Sequence, residues 1–469
     1  MHRSMWCAMA LAVVMSDAYP ARAQDTELSQ IRVEIRQMKE TYERRIEALE
    51  KRLAEAEAKA GKAEASAVKA ESAAAQASSR PASQNAFNPA VSLVLQGTYA
   101  NESQDPNAYQ ITGFVPSGGE VAPPDRGFSL GETELTIAAN ADPYFRGQAT
   151  ASLAPEGGVN TEEAYFQTLA LPAGFVGKGG RFYSGLGYLN QQHQHAWDFQ
   201  DAPLAYKAFL GGQLAQDGVQ LKWIAPTDLL VELGVELSAG NQFPGSDQDK
   251  NGVGGSTFFG HIGGDIGAST AWRAGLSYLD FSPKNRSYDD VDAIGNPTVN
   301  SFTGTSKLWV ADAILKWAPN GNSTVTNFKL QGEYFRSKEN GQLTYDDSGG
   351  SDTFGSVTGP FNSRQSGWYL QGIYQFIRQW RLGYRYDALN YGTLNNGIVQ
   401  NGLGPTASDF PVLAPHSPTR NTVMLDWSPS EFSRVRFQYA SDKSRIGATD
   451  NEFFVQYIYS LGAHGAHAF

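Results

Sequence analysis

The stretch Trp380-Arg-Leu-Gly-Tyr-Arg-Tyr386 sets Trp380, Leu382, Tyr384 and Tyr386 at alternate positions, with Arg381, Gly383 and Arg385 between them. Successive side chains of a strand point to opposite faces, so this segment, once extended, has one aromatic face and one charged face. Apolar residues alternate with polar or small ones along the last four-fifths of the chain, broken by turn residues. In a soluble sandwich the apolar face would be half of a core. Here aromatics gather at the segment ends and the opposite face carries full charges, which is the pattern of a barrel with lipid outside and water inside. The expected fold class is an all-β transmembrane barrel of about sixteen antiparallel strands, preceded by an N-terminal α-helical coiled coil.

The first residues read as a secretory leader over 1–23: Arg3, an apolar run from Cys7 to Met15, and the small-x-small site Ala21-Arg22-Ala23. The run is about half the ~20 residues a spanning helix needs, and no later stretch approaches that length. Cys7, the single cysteine, lies in the leader, so the remainder has no disulfide chemistry. Composition (49 Gly, 12% aromatic, 41% hydrophobic) fits soluble and membrane proteins alike, and the alternation decides between them.

Residues 24–78 are built mainly from Ala, Glu, Lys, Arg and Gln. Leu28, Ile31, Ile35, Met38 and Tyr42 follow the spacing of a coiled-coil seam, resumed after a stutter by Ile46, Leu49, Leu53 and Ala56. A periplasmic oligomerisation stalk is expected, with a solvated single helix as the alternative. Residues 79–90 form a linker and 91–469 the barrel. Candidate strands begin at Val91 and continue at 128–141, 143–153, 162–171, 178–184, 217–225, 228–238, 256–265, 269–280, 306–318, 325–337, 365–377, 379–389, 420–428, 433–441 and 452–461. Tight turns at Pro226-Thr227, Asn320–Asn322 and Ser428–Ser430 suit the periplasmic side. Stretches 240–255, 282–305, 338–364 and 390–419 read as long outer loops.

Enzymatic chemistry is not expected. The chain has no phosphate loop and no His-Glu-x-x-His, and His416-Ser417 are adjacent in an expected loop. With the apolar face outward, the lumen receives Lys222, Lys316, Lys329, Arg381, Arg385, Arg434 and Arg436, together with Glu232, Glu236, Asp312, Glu333, Asp387 and Asp426. Acid on an early strand and arginine on late ones would place the two signs on opposed walls, a field that orients solutes or merely keeps the lumen wet. The irregular stretch 185–216 is dense in polar and aromatic residues and is expected to pack inside as a constriction carrying His193, His195, Trp197, Asp198, Asp201 and Lys207; an outer loop is the alternative. His193-x-His195 also reads as a weak metal pair, with His464 and His467 as a second. Asp247–Gly252 opens like a calcium loop, but Phe258 stands where the closing glutamate belongs. No resident cofactor is expected, weak Zn or Ca binding being the alternative. The acid excess of the chain, −11 overall, lies beyond the neutral stalk and the cationic leader.

A leader, a coiled coil and a barrel resemble the trimeric porins with an N-terminal coiled-coil stalk, and the phosphate-selective porin O/P-like group. Asn88-Pro-Ala-Val-Ser-Leu, Arg126-Gly-Phe-Ser-Leu-Gly-Glu-Thr-Glu-Leu and His195-Ala-Trp-Asp-Phe-Gln-Asp-Ala-Pro also resemble proteobacterial proteins labelled zinc-regulated or TonB-dependent outer-membrane receptors. A TonB-dependent receptor has about 22 strands and a plug, and this chain is too short for both. Arg181, Arg381, Arg385, Arg434 and Arg436 could serve a phosphate path, but the barrel is acidic. The resemblance implies an outer-membrane homotrimer in contact with lipid and lipopolysaccharide, passing small hydrophilic solutes by diffusion and binding no nucleic acid. A zinc-linked receptor or metal-uptake protein and a structural tether to the periplasm are the alternatives.

Overall fold

The computed structural model describes residues 39–40, 43, 89–118, 121–153, 157–246 and 251–462. The expected leader, the expected seam residues Leu28, Ile31, Ile35, Met38 and Tyr42, residues 247–250 and the pair His464 and His467 lie outside the described residues. Of segment 24–78, Lys39, Glu40 and Glu43 are described; they are helical, with Lys39 Nζ 3.7 Å from Glu43 one turn on.

The barrel is built from β1 (Ala90–Glu102), β2 (Gly127–Leu130), β3 (Thr133–Asn140), β4 (Phe145–Leu153), β5 (Val159–Thr168), β6 (Phe175–Tyr183), β7 (Ala215–Ile224), β8 (Leu230–Ser238) and β9 (Gly255–Ile266). It continues through β10 (Thr270–Phe281), β11 (Arg286–Val291), β12 (Pro297–Trp317), β13 (Asn327–Asp346), β14 (Ser356–Ile377), β15 (Trp380–Asn396), β16 (Thr419–Ser430), β17 (Ser433–Asp442) and β18 (Asp450–Gly462). Both β2 and β3 pair with β1, and both β10 and β11 with β12, so the eighteen segments fill sixteen positions of one antiparallel sheet. The sheet closes where β1 meets β18, from Ser92 opposite Gly462 to Glu102 opposite Glu452. Closure leaves no edge, which an extended chain in hydrocarbon requires.

Leu233, Ile262, Leu276, Leu370, Leu382, Val423, Phe437 and Tyr457 are exposed on the outer face. Aromatics form two girdles around it. One, near the short turns, contains Trp317 and the stacked pair Trp380 and Trp427, 6.2 Å apart; the other contains Trp309 against Tyr278 at 4.6 Å and Trp368 against Tyr386 at 5.4 Å. Along β12 the girdles are separated by the Trp309-to-Trp317 interval, about 20 Å of height once strand tilt is allowed for, most of the ~25 Å apolar band of such barrels. The outer face therefore fits a bilayer.

Beyond the upper girdle the fold departs from the expected loops. Segments 282–305 and 338–364 are mostly strand, supplied by β11 and the extensions of β12, β13 and β14, and β15 runs on to Asn396 before 397–418 turns irregular. The polarity of the faces inverts there. Phe302, Leu343, Tyr345 and Phe361 turn inward and are buried, while Thr303, Gln342 and Asn362 face out. Above the bilayer the outer face meets water, so alternation persists with its sign reversed, and Gly/Asn-rich strands resemble loops in composition.

Val423 lies opposite Tyr384, midway along the band. Val423→Arg is expected to destabilise the folded barrel by about 2–4 kcal/mol in a urea titration followed by heat-modifiable gel migration.

Candidate functional site

The chain between β6 and β7 runs through the barrel interior and is fastened around most of its circumference. Ser184 Oγ and Gly185 N donate to Glu236 on β8 (2.5 and 2.7 Å), and Leu189 N donates to Glu333 Oε1 on β13 (3.0 Å). Gly187, at φ +61°, donates to Ser277 Oγ on β10 at 3.2 Å; a Cβ there would collide with the Glu333 carboxylate. Its positive φ and this close approach both call for glycine. The segment is stitched to itself by Asn190, whose amide nitrogen donates to Ser184 O (2.9 Å) and whose oxygen accepts from Leu214 N (2.8 Å).

The middle of the segment carries the charged contacts. Asp198 pairs with Lys329 of β13 and with Arg381 of β15 (3.2 Å), and accepts from Gln371 Nε2 of β14 (3.2 Å). Asp201 pairs with Arg385 of β15 (3.1 Å), Arg420 of β16 and Lys207 (3.2 Å). The Trp197 carbonyl accepts from Arg436 Nη2 at 2.8 Å and Arg434 Nη1 at 3.2 Å, both on β17. Burial pushes both aspartate carboxyls up, yet the surrounding cations, Lys329 and Arg381 for Asp198, Arg420, Lys207 and Arg385 for Asp201, hold them well below the usual carboxylate range. Helix α1 (Leu204–Leu210) follows, buried throughout; its Leu204 N donates to Asp387 Oδ1 (3.0 Å) and its Tyr206 hydroxyl to Glu333 Oε2 (2.9 Å). On the other side, His193 and His195 meet Glu134 of β3 and Glu162 and Glu163 of β5. Burial pushes the His193 imidazole down, but the hydrogen bonds it makes to the carboxylates of Glu134, Glu162 and Glu163 dominate and hold it well above its ordinary 6.5.

All thirteen expected lumen residues lie on strands with their side chains inward, in mutual contact or against this segment. The opposed-wall field is replaced by local neutralisation. Arg436 and Arg381 share Asp426, Arg385 pairs with Asp387 (2.9 Å), and Glu232 pairs with Lys222 and His261 (3.0 Å each). Lys316 stands over the Tyr188 ring at 5.9 Å, and Asp312 faces His261 Nε2 at 3.7 Å. Sequence reasoning missed Arg420, whose partners include Asp201, Asp442 and Glu452, and missed the carboxylates that receive the two histidines. It also missed a Gly-x-Ser-x-Gly spacing at Gly127–Gly131. That motif lies in β2 with Ser129 opposite Thr98, in a paired strand rather than the strand-to-helix turn a nucleophile elbow needs.

The interior has two halves of different character. Toward the short turns, Lys222, Lys329, Arg381 and Arg434 keep 25%, 19%, 22% and 23% of their side-chain surface accessible. Toward the long strands, apolar packing takes over. Phe209 of α1 packs on Phe114 and Phe335, and Val115, Phe410, Val412 and Leu413 pack on Tyr288, Phe302 and Leu343. Segment 105–118 is held there by Gly113 N to Val412 O (2.7 Å) and Ser117 Oγ to Lys207 O (2.6 Å). These apolar inward positions are absent from the expected polar lumen; the inward-folded segments supply the surface that buries them.

Asp201→Asn leaves Arg385, Arg420 and Lys207 short of their common counter-charge, a loss of about 3–5 kcal/mol for a broken buried ion pair. Limited trypsin digestion of the folded variant is expected to cut at Lys207 while the wild-type barrel resists there.

No family model matches the chain. Solved structures that it is similar to include the trimer form of OmpT, an outer-membrane protein of Vibrio cholerae (TM-score 0.48, 11% identity, 80% of this chain and 99% of that one). OprB of Pseudomonas putida gives 0.48 at 12% identity over 80% and 94%, and the outer-membrane channel DcaP of Acinetobacter baumannii 0.46 at 11% over 80% and 97%. Likenesses of that degree add nothing to what the strand register shows. A protein of Aquifex aeolicus, described as uncharacterized, is 30% identical over 421 residues, 83% of this chain and 81% of that protein. The chain belongs to the same family as this Aquifex aeolicus protein.

Proposed function

We propose that the chain is an outer-membrane porin-type channel through which small hydrophilic solutes diffuse, its lumen narrowed by segment 184–214. The observation that carries this reading is the water-accessible charge inside a closed barrel. A barrel packed solid would dehydrate Lys222, Lys329, Arg381 and Arg434 along with their carboxylate partners, yet each keeps about a fifth of its side-chain surface or more accessible. The apolar outer band and its aromatic girdles support placement in the outer membrane, with the short turns in the periplasm. Assembly as a homotrimer rests on the seam at Leu28, Ile31, Ile35, Met38 and Tyr42 alone. Contact with lipid and lipopolysaccharide follows from the outer face.

A second reading, a receptor or uptake protein without a general pore, is favoured by the apolar packing of α1, 105–118 and 410–413 in the outward half of the interior. Planar-bilayer recording separates the two. The channel reading expects a steady ohmic conductance from the purified protein and a severalfold larger one when residues 190–212 are replaced by a short Gly-Ser linker. A wild-type protein that stays silent while the shortened one conducts supports the receptor reading; silence from both excludes a channel.

A further inference from the structure

Three elements bring metal-ligating atoms together on the wall of β3 to β5, which β18 and β1 separate from β17 of the arginine cluster. Glu134 on β3, Glu162 on β5 and His193 on the inward segment each offer one atom, all within 4.8 Å of one another. His193 Nδ1 faces two carboxylate oxygens at once, Glu134 Oε2 at 3.0 Å and Glu162 Oε2 at 3.1 Å, while Nε2 faces Glu163 Oε2 at 3.1 Å. A ring nitrogen carries at most one proton, so a single N–H cannot serve both oxygens well. A cation placed among the three atoms can. Glu162 Oε1 gives an independent sign: it is buried and receives no hydrogen bond, on a side chain only 7% exposed.

Charge points the same way. Glu134 is 2% exposed at its side chain and Glu163 7%, and Glu132 lies beside Glu162. His193 and His195 pair with Glu134, His193 with Glu162 and Glu163, and Lys178 is attracted to Glu163. Three carboxylates, Glu134, Glu162 and Glu163, converge on the one imidazole of His193. The surroundings also hold the three ligands in place. His195 Nδ1 is 2.9 Å from Glu134 Oε1, and the Tyr183 hydroxyl donates to Glu162 Oε2 at 3.3 Å, as outer-shell groups do around bound metals.

We propose that Glu134, Glu162 and His193 form a binding site for a first-row divalent cation of the Zn²⁺ type, with solvent filling the remaining positions. One imidazole and two carboxylates are borderline-to-hard ligands suited to Zn²⁺, Co²⁺, Ni²⁺ or Mn²⁺. The ion ties the inward segment to β3 and β5, whereas Asp198 and Asp201 tie it to β13, β15 and β16. His193 keeps 19% of its side chain accessible, which leaves a route for exchange from the lumen. This inference does not depend on the channel reading.

The test uses the full chain without an affinity tag, chelator-treated and folded in detergent. Co²⁺ titration is followed by visible absorbance and Zn²⁺ titration by calorimetry. One ion per chain is expected, bound more weakly by E162Q and by H193A by more than the about 10- to 100-fold that losing an outer-shell partner costs. The double variant H464A/H467A, at the C-terminal pair, is expected to bind as the wild type does. Heat-modifiable migration on gels reports folding, and the isosteric E162Q carries the test if H193A does not fold. Absence of saturable binding by the wild type overturns the proposal. So does unchanged affinity in E162Q, or loss of binding in H464A/H467A.

Discussion

Asp198 and Asp201 hold the interior of this barrel together. Arg381, Arg385, Arg420 and Arg436 project inward from three consecutive strands, and a guanidinium in that setting is always charged. Asp387, Asp426, Asp442 and Glu452 on the same wall supply part of the counter-charge. The remainder comes from two aspartates on a segment that starts on the far side, between β6 and β7. Burying such charges is tolerable only when each is met by hydrogen-bonded partners. The position of the segment follows from that demand: Asp198 and Asp201 have to reach the arginine wall, so the chain between them and β6 has to cross the lumen.

Once the segment lies there, the rest of the interior follows. α1 comes directly after Asp201 and brings an apolar face against β13, β14 and β15, where Phe335, Tyr369 and Leu389 are buried at 0–4% exposure. Segment 105–118 closes over α1. What remains wet is the half near the short turns, lined by partly accessible Lys and Arg. The inversion of strand polarity above the upper girdle belongs to the same arrangement, since inward apolar side chains on β12, β13 and β14 are stable only with Val115, Phe410, Val412 and Leu413 to cover them. Outer membrane band, packed outward half and wet inner half are three consequences of one strand pattern meeting three solvents.

The sixteen barrel positions were legible because lipid enforces alternation on every spanning strand, as at Trp380–Tyr386. The upper extensions were not, because reversed alternation in Gly- and Asn-rich sequence is indistinguishable in composition from loop. The inward segment could be singled out by its density of His, Trp and Asp, and the inward face by its charges. Their pairing could not. Asp201 and Arg420 are 219 residues apart, and His193 meets Glu134 through a register that no local pattern encodes. Expected opposed walls became local pairs for the same reason: the sequence displays charges strand by strand, whereas the neutralising partners arrive from across the lumen.

Segment 184–214 is a fixed part of the barrel interior, held to β8, β10, β13 and β15. Hydrogen exchange read by mass spectrometry on the folded protein tests it directly. Amides of Leu204–Leu210 and of Leu189 and Leu214 are expected to exchange as slowly as those of the neighbouring strands β13 and β15. Exchange of that peptide at the rate of an unstructured loop, with the strands still protected, would contradict the account.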